Sequence, residues 1–153
     1  MLGFGSDALM DDGVPVKIVR DLINSVPSKD ISYDTSVVGG LELIVLLDGF
    51  NTAILIDTIK TPNGKPGDVY QFSVDDRLET YHLSSNHDVN FREALELGNT
   101  LGFQMPQSFI IFAIEIEKNL DLSMELSEAL ESRYQEIYRK IRDFIAGEIL
   151  ADY

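Results

Sequence analysis

The chain has 153 residues, of which 44% are hydrophobic and 25% charged, a balance typical of one globular domain with a real core. It has no cysteine, which excludes disulfides, thiolate metal sites and a cysteine nucleophile. Its formal net charge of −14 repels phosphate groups, so we expect no nucleic acid and no anionic membrane as partners. The same charge would attract a cation or a basic peptide, although many proteins are acidic simply for solubility. The longest apolar runs, LIVLL and FIIFAI, are too short to span a bilayer and no signal peptide opens the chain, so we expect a cytoplasmic protein. We also expect it to be a monomer.

The first part of the chain predicts alternating strands and helices. Leu2 to Phe4 has room only for a short strand, or for the tail of one. Residues 13–26 predict an amphipathic helix, with Pro15 tolerated in its first turn. The apolar stripe of that helix comprises Val16, Val19, Ile23 and Val26, with Ile18 and Leu22 beside them. Residues 31–38 favour a strand. The run LELIVLL fits a strand or a helix, and we interpret it as a short helix because Asp48-Gly49 closes it and a better strand follows at once.

The rest of the chain predicts the centre of a parallel sheet. Ala53 to Ile59 and Phe109 to Ile116 are apolar on both faces, as buried parallel strands are. Between them, DVYQFSV alternates like a strand with one wet face, and residues 86–101 predict a helix. The stripe of that helix comprises Val89, Ala94, Leu97 and Leu101. Ser123 is a possible cap for a long final helix. Its apolar seam comprises Leu126, Leu130, Tyr134, Ile137, Ile141, Phe144 and Ile145.

Strands separated by helices predict a single α/β domain over residues 1–153, a three-layer sandwich with a mostly parallel sheet and helices on both faces. In such a sheet, ligands gather at the carboxyl ends of the strands. Asp12, Asp57 and His87 fall at such points, and two carboxylates with an imidazole suit nickel, zinc, iron or manganese. Each also has an ordinary interpretation, as a helix cap, a turn former and a hydrogen-bonded structural histidine respectively. Asp11 or Asp12 is expected to cap the first helix, leaving the other free to bind.

The sequence resembles the hydrogenase maturation proteases, endopeptidases that trim the C-terminus of the nickel–iron hydrogenase large subunit. GFGSDALMDDGVPV resembles the opening motif of that family, with Ser6 in place of the usual Asn. The likeness continues in order along most of the chain, through GLEL, ILIDTI, KPGDVYQF and SSNHDVNFREAL to a degraded AIEIEKNLDLSMEL. In the last of these, Ile116 replaces a proline of the family.

The resemblance implies a twisted five-stranded sheet between helices, and it places Asp12, Asp57 and His87 at the three metal-ligand positions of the family. It also implies that the metal is nickel carried by the substrate, the precursor of the hydrogenase large subunit, from which a C-terminal peptide is removed. The family's Asp-Gly-Gly-Thr turn survives only as YDTSVVGG, so Asp34 is a candidate for orienting substrate, as is Asp11. His82 is assigned no role, and no separate general base stands out. The alternative is an assembly factor that holds nickel or the client protein and cuts nothing.

Overall fold

The computed structural model describes residues 1–37, 40–75, 91–117 and 121–149, and these form one five-stranded sheet with helices on both faces. The strands are β1 (Leu2–Phe4), β2 (Asp34–Ser36), β3 (Thr52–Ile59), β4 (Val69–Asp75) and β5 (Ser108–Glu115). The helices are α1 (Val14–Ser25), α2 (Glu42–Leu47), α3 (Phe91–Thr100) and α4 (Glu128–Phe144). LELIVLL is therefore helical, as predicted.

The strands lie in the order β2-β1-β3-β5-β4, and β4 alone runs antiparallel to its neighbour. This confirms the predicted α/β fold with a mostly parallel sheet. The four parallel strands end at one edge, which we call the carboxyl edge. Asp57 lies near this edge, opposite Ala113 in the β3–β5 ladder, whereas Asp34 begins β2 at the other edge, opposite Leu2.

Each face of the sheet has its own hydrophobic cluster. The larger one packs α1 and α4 against the faces of β3 and β5 that carry Ile56 and Phe112. The smaller one packs α2 against the opposite faces, which carry Leu55 and Ile111, with α3 on its margin. Because residues two apart along a strand share a face, Asp57 lies on the α2 side and Thr58 on the α1 side.

Two predicted helix faces are partly wrong. In α1, Val16, Val19 and Val26 of the predicted stripe are buried, but Ile23 is 46% exposed. The rest of the buried face comprises Val14, Ile18 and Leu22. In α3, Leu97 and Leu101 are 38% and 62% exposed. That helix buries small residues instead: Ala94 is fully buried, and a Cβ added to Gly98 would lie 2.7 Å from the Sδ of Met105.

The start of the final helix also differs from the prediction. Ser127 is the N-cap of α4, and its hydroxyl accepts a hydrogen bond from the backbone N–H of Leu130 at 3.3 Å. Ser123 lies upstream, in an isolated parallel bridge with Leu9. The predicted apolar seam of α4 is confirmed, since its central residues are buried in the larger cluster. Within the described ranges, the structure contains no helix long and apolar enough to cross a bilayer.

Candidate functional site

The loop that follows β1 folds back tightly enough to bring its two ends together. Gly5 has φ +144°, and a Cβ added there would lie 1.9 Å from the backbone oxygen of Asp12. The backbone N–H of Ser6 donates to the Oδ2 of Asp12 at 2.8 Å, which closes the loop. Only glycine at position 5 permits this approach. The loop therefore holds the Asp12 carboxylate at the carboxyl edge, just beyond the end of β1.

Asp57 lies in the central strand β3, near the same carboxyl edge. Its side chain is 4% exposed, and its Oδ1 accepts a hydrogen bond from the backbone N–H of Thr58 at 2.7 Å. The hydroxyl of Thr58 donates to the Oδ1 of Asp12 at 3.4 Å, so Thr58 links the two acids. Two of the three predicted ligands, 45 residues apart in sequence, thus lie near the carboxyl edge of the sheet, and their binding of one ion stays a prediction.

The environment of Asp57 is unfavourable for its charge. Burial raises the pKa of this carboxyl to about 7; the hydrogen bond from Thr58 lowers it, and the negative charge of Asp12 raises it further. Neither carboxylate forms an ion pair with a described residue. Two neighbouring acids without a cationic side chain are suited to binding a cation, which would offset both the burial and the repulsion.

The third predicted ligand, His87, lies outside the described residues, as does His82. Among the residues that the structure describes, no group of three histidine, aspartate or glutamate side chains is arranged to hold a metal. The convergence of His87 with Asp12 and Asp57 therefore stays a prediction. His87 belongs to the segment that connects β4 to α3.

Asp11 faces away from Asp12 and has a different role. It is fully buried, and its Oδ1 accepts a hydrogen bond from the backbone N–H of Ser127 at 2.7 Å. Its Oδ2 is buried without a hydrogen-bond partner among the described residues. The expectation that one of the two acids caps the first helix is wrong, because the N-cap of α1 is Gly13 and no side chain caps it. Asp11 instead joins the β1 loop to the start of α4.

Asp34 lies at the other edge of the sheet. It begins β2, its backbone N–H donates to the carbonyl of Met1 at 2.9 Å, and its Oδ1 accepts from the N–H of Thr35 at 2.8 Å. Since Asp12 and Asp57 lie at the carboxyl edge, Asp34 does not share their site. Its role in orienting substrate stays a prediction, and this position does not favour it.

Sequence reasoning overlooked Glu115, a buried carboxylate at the end of β5. It is 2% exposed, and its two oxygens accept hydrogen bonds from the N–H and the hydroxyl of Thr61, at 2.6 and 2.9 Å. A Cβ added to Gly64 would lie 2.1 Å from this carboxylate. Glu115 therefore fixes the loop that follows β3, close to Asp57. The sequence feature that indicates Glu115 is an acidic residue directly after the apolar run FIIFAI. Asp57 follows the apolar run AILI in the same way.

Comparison with known proteins agrees with this architecture. The family model of the hydrogenase maturation proteases matches residues 38–143, more than half of the chain. The solved structure of the NiFe hydrogenase maturation protease HycI from Thermococcus kodakarensis is similar, with a TM-score of 0.72, 18% identity, and coverage of 95% of this chain and 90% of that one. The hydrogenase maturating endopeptidase HybD from E. coli has a TM-score of 0.69 and 17% identity, with coverage of 96% and 91%.

At these sequence identities, the likeness to solved structures supports the fold alone. The match to the family model shows to which family the chain belongs. No curated protein sequence matches the chain. The chain therefore belongs to the hydrogenase maturation protease family, and its role is that of a peptidase in hydrogenase maturation.

Proposed function

We propose that this protein is an endopeptidase that removes a C-terminal peptide from the nickel-loaded precursor of a nickel–iron hydrogenase large subunit. Family membership supports peptide-bond hydrolysis in hydrogenase maturation. The observation that carries the finer proposal is the pairing of Asp12 with the buried Asp57 at the carboxyl edge of the sheet. In this proposal nickel arrives as part of the substrate and reports that the client has received its metal.

The chemistry of the two acids supports this proposal. Carboxylate oxygens with one imidazole form a donor set suited to nickel, and three protein ligands leave coordination positions for the client and for water. Asp12 would supply its Oδ1, which is held only by the long bond from Thr58, because Oδ2 accepts the N–H of Ser6. Asp57 would supply Oδ2, since Oδ1 accepts the N–H of Thr58. His87 would complete the set.

The surrounding chain supports the backbones of Asp12 and Asp57. The tight loop at Gly5 fixes the backbone of Asp12, and the central strand β3 fixes that of Asp57. Rigid placement of this kind lowers the cost of ordering the site when the substrate binds. Bound nickel would polarise the scissile carbonyl or make a water molecule more acidic, either of which promotes peptide hydrolysis. The low exposure of Asp57 limits competing contact with bulk water.

The decisive experiment incubates the purified protein with the precursor of a nickel–iron hydrogenase large subunit from the same organism, with and without nickel. We expect a loss of mass at the C-terminus of the client only with the nickel-loaded precursor. Mass spectrometry of the intact client measures this. Binding without loss of mass would show the alternative, an assembly factor that does not cut. Cleavage that is equal without nickel would contradict metal recognition but not the peptidase.

Histidine variants test the third ligand directly. His87→Gln should abolish cleavage of the nickel-loaded precursor and weaken nickel binding, measured by calorimetry on the protein alone. His82→Gln is the matched control, since His82 and His87 are the two histidines of the chain. If both variants bind nickel as well as the parent protein, His87 is not a ligand.

A further inference from the structure

Helices α2 and α3 lie side by side on one face of the sheet and meet along a closely packed contact line. Ile44 of α2 and Ala94 of α3 belong to one hydrophobic cluster with Met105. A Cβ added to Gly98 would lie 3.2 Å from the Cγ2 of Ile44, so α3 presents a glycine where α2 approaches it. The contact line therefore runs through Ile44 on α2 and through Ala94 and Gly98 on α3.

Two pairs of large apolar side chains on these helices are exposed. On α2, Leu41 and Val45 are four residues apart and therefore neighbours on one side of the helix. On α3, Leu97 and Leu101 have the same spacing. The N–H of Leu101 donates to the carbonyl of Leu97 at 2.9 Å, so the helical geometry continues to residue 101. We call these four residues the α2–α3 patch.

Helix geometry places the two pairs beside the same contact line. Successive residues of an α-helix are about 100° apart, so Leu41 lies about 60° around α2 from Ile44. By the same geometry, Leu97 and Leu101 lie about 60° and about 20° around α3 from Ala94. Each pair thus borders the side of its helix that contacts the other helix. Because all four side chains are exposed, they lie along the solvent side of the contact line and form one apolar surface.

The patch has the form of a docking surface for a helix. An apolar surface of this kind on a protein is typical of a site of interaction. Two neighbouring helices leave a shallow groove between them, and a third helix can place its apolar stripe there. Apolar residues one turn apart on both sides of the groove are suitable anchors for such a stripe.

The charge around the patch indicates which helix would fit. Residues 41–48 and 91–101 together contain four acidic residues and one basic residue. The acids are all exposed: Glu42, Asp48, Glu93 and Glu96. A helix with lysine or arginine beside its apolar stripe would match this surface. A second copy of the chain would bring the same acids against one another, which disfavours a dimer through the patch.

We propose that an amphipathic, basic helix of the hydrogenase precursor docks on the α2–α3 patch. This inference rests on the proposed function, because it identifies the partner as the precursor. A client held there would lie on the α2 side of the sheet, the side on which Asp57 also lies. The apolar side chains would supply affinity, and the surrounding acids would select a basic helix and speed its association.

The test measures binding of fluorescently labelled, nickel-loaded precursor to the full chain by stopped flow, before cleavage occurs. The variant is the double substitution Val45→Gln and Leu101→Gln. It should fold normally because these side chains are 71% and 62% exposed. We expect its Kd to rise by about tenfold or more, and in cleavage its KM to rise with kcat unchanged. The matched control is Leu122→Gln with Met124→Gln, two other exposed apolar residues, and it should leave Kd unchanged.

Methyl NMR distinguishes docking on the patch from an indirect effect of the substitutions. Bound precursor should shift the methyl resonances of all four residues of the patch, but not those of Ile23, which is exposed on α1 across the sheet. The Kd of the parent protein should also rise with salt, because the attraction between acids and bases is screened. Unchanged patch resonances, or a Kd that does not change with salt, would contradict a basic helix bound there.

The remaining outcomes separate the docking site from the peptidase. An unchanged Kd in the double variant, or an equal loss in the control, would overturn the docking site even if the parent protein cleaves the precursor. A parent protein that does not bind the precursor would overturn it as well. So would a double variant that converts a dimer into a monomer, since a second copy would then be the occupant. Binding that depends on the patch but leads to no cleavage would support the docking site and refute the peptidase.

Discussion

Replacing Asp57 with Asn removes a carboxylate that folding transfers from water into the carboxyl edge of the sheet. The Asn side chain has nearly the same shape, and its oxygen can still accept the backbone N–H of Thr58, which Asp57 binds at 2.7 Å. What the substitution removes is the charge. Its effect on stability should therefore follow the titration of this single group.

The direction in which stability changes with pH follows from the raised pKa of Asp57. The Asp57 carboxyl has a pKa of about 7 in the folded protein, against 3.8 for the free side chain, chiefly because it is buried. Between about pH 4 and pH 7 the folded state keeps a proton that the unfolded state has lost, so the free energy of unfolding falls as the pH rises through this window. At about 1.4 kcal/mol per pH unit, the full effect is up to about 4 kcal/mol.

Urea unfolding of the parent protein and of Asp57→Asn, at intervals from pH 4 to pH 8, measures this difference. We expect equal stability near pH 4 and an Asn variant more stable by up to about 4 kcal/mol at pH 8. Asp30→Asn supplies the control, because it removes a carboxylate that stays exposed in the folded protein. A difference between the Asp57 variant and the parent that is constant across the range would refute the idea that Asp57 is a destabilised buried charge. Unfolding of the variant at every pH would show that Asp57 is structural.

Three further predictions concern the walls of the site and its metal. Gly5→Ala should cost about 3 kcal/mol or more in free energy of unfolding, because the added Cβ meets a backbone oxygen at 1.9 Å. Gly49→Ala, also at positive φ but with open space around it, should cost only about 1–2 kcal/mol in the same denaturation assay. Gly64→Ala should cost about 1–3 kcal/mol, because the added methyl displaces the Glu115 carboxylate; a neutral result would show that this loop is not held by Glu115. Nickel affinity, measured by calorimetry, should fall below about pH 6.5 as the imidazole of His87 takes up a proton, and an affinity that is constant from pH 5 to pH 8 would contradict that ligand.

The sheet and the position of Asp57 were predictable from the sequence because burial on both faces restricts the central strands to apolar residues. A strand buried on both faces must be apolar throughout, so ILID and FIIFAI identified the central strands at once. A polar residue that ends such a strand must then lie at the carboxyl edge. The structure has Asp57 near that edge, two residues before the end of β3, and the same reasoning places Glu115 at the end of β5.

The helix faces were harder to predict because packing can use small residues that a hydrophobic pattern does not reveal. In α3 the buried positions are Ala94 and Gly98, while the larger Leu97 faces solvent. The cap of α4 was misplaced for a related reason. Ser123 and Ser127 are equally good caps by residue type, and only the bridge between Leu9 and Ser123, a contact distant in sequence, decides between them.

The adjacency of Asp11 and Asp12 is explained by the backbone between β1 and α1. Both residues belong to a 3-10 turn, Met10–Gly13, in which successive side chains point about 120° apart. Asp11 therefore points inward and accepts a hydrogen bond from the N–H of Ser127. Asp12 points toward Thr58, the residue that follows Asp57. Asp11 attaches this turn to the start of α4. It therefore holds Asp12 in place against the repulsion from the charge of Asp57. A single carboxylate at this turn could anchor the loop or face a cation, but the turn geometry does not allow one side chain to do both.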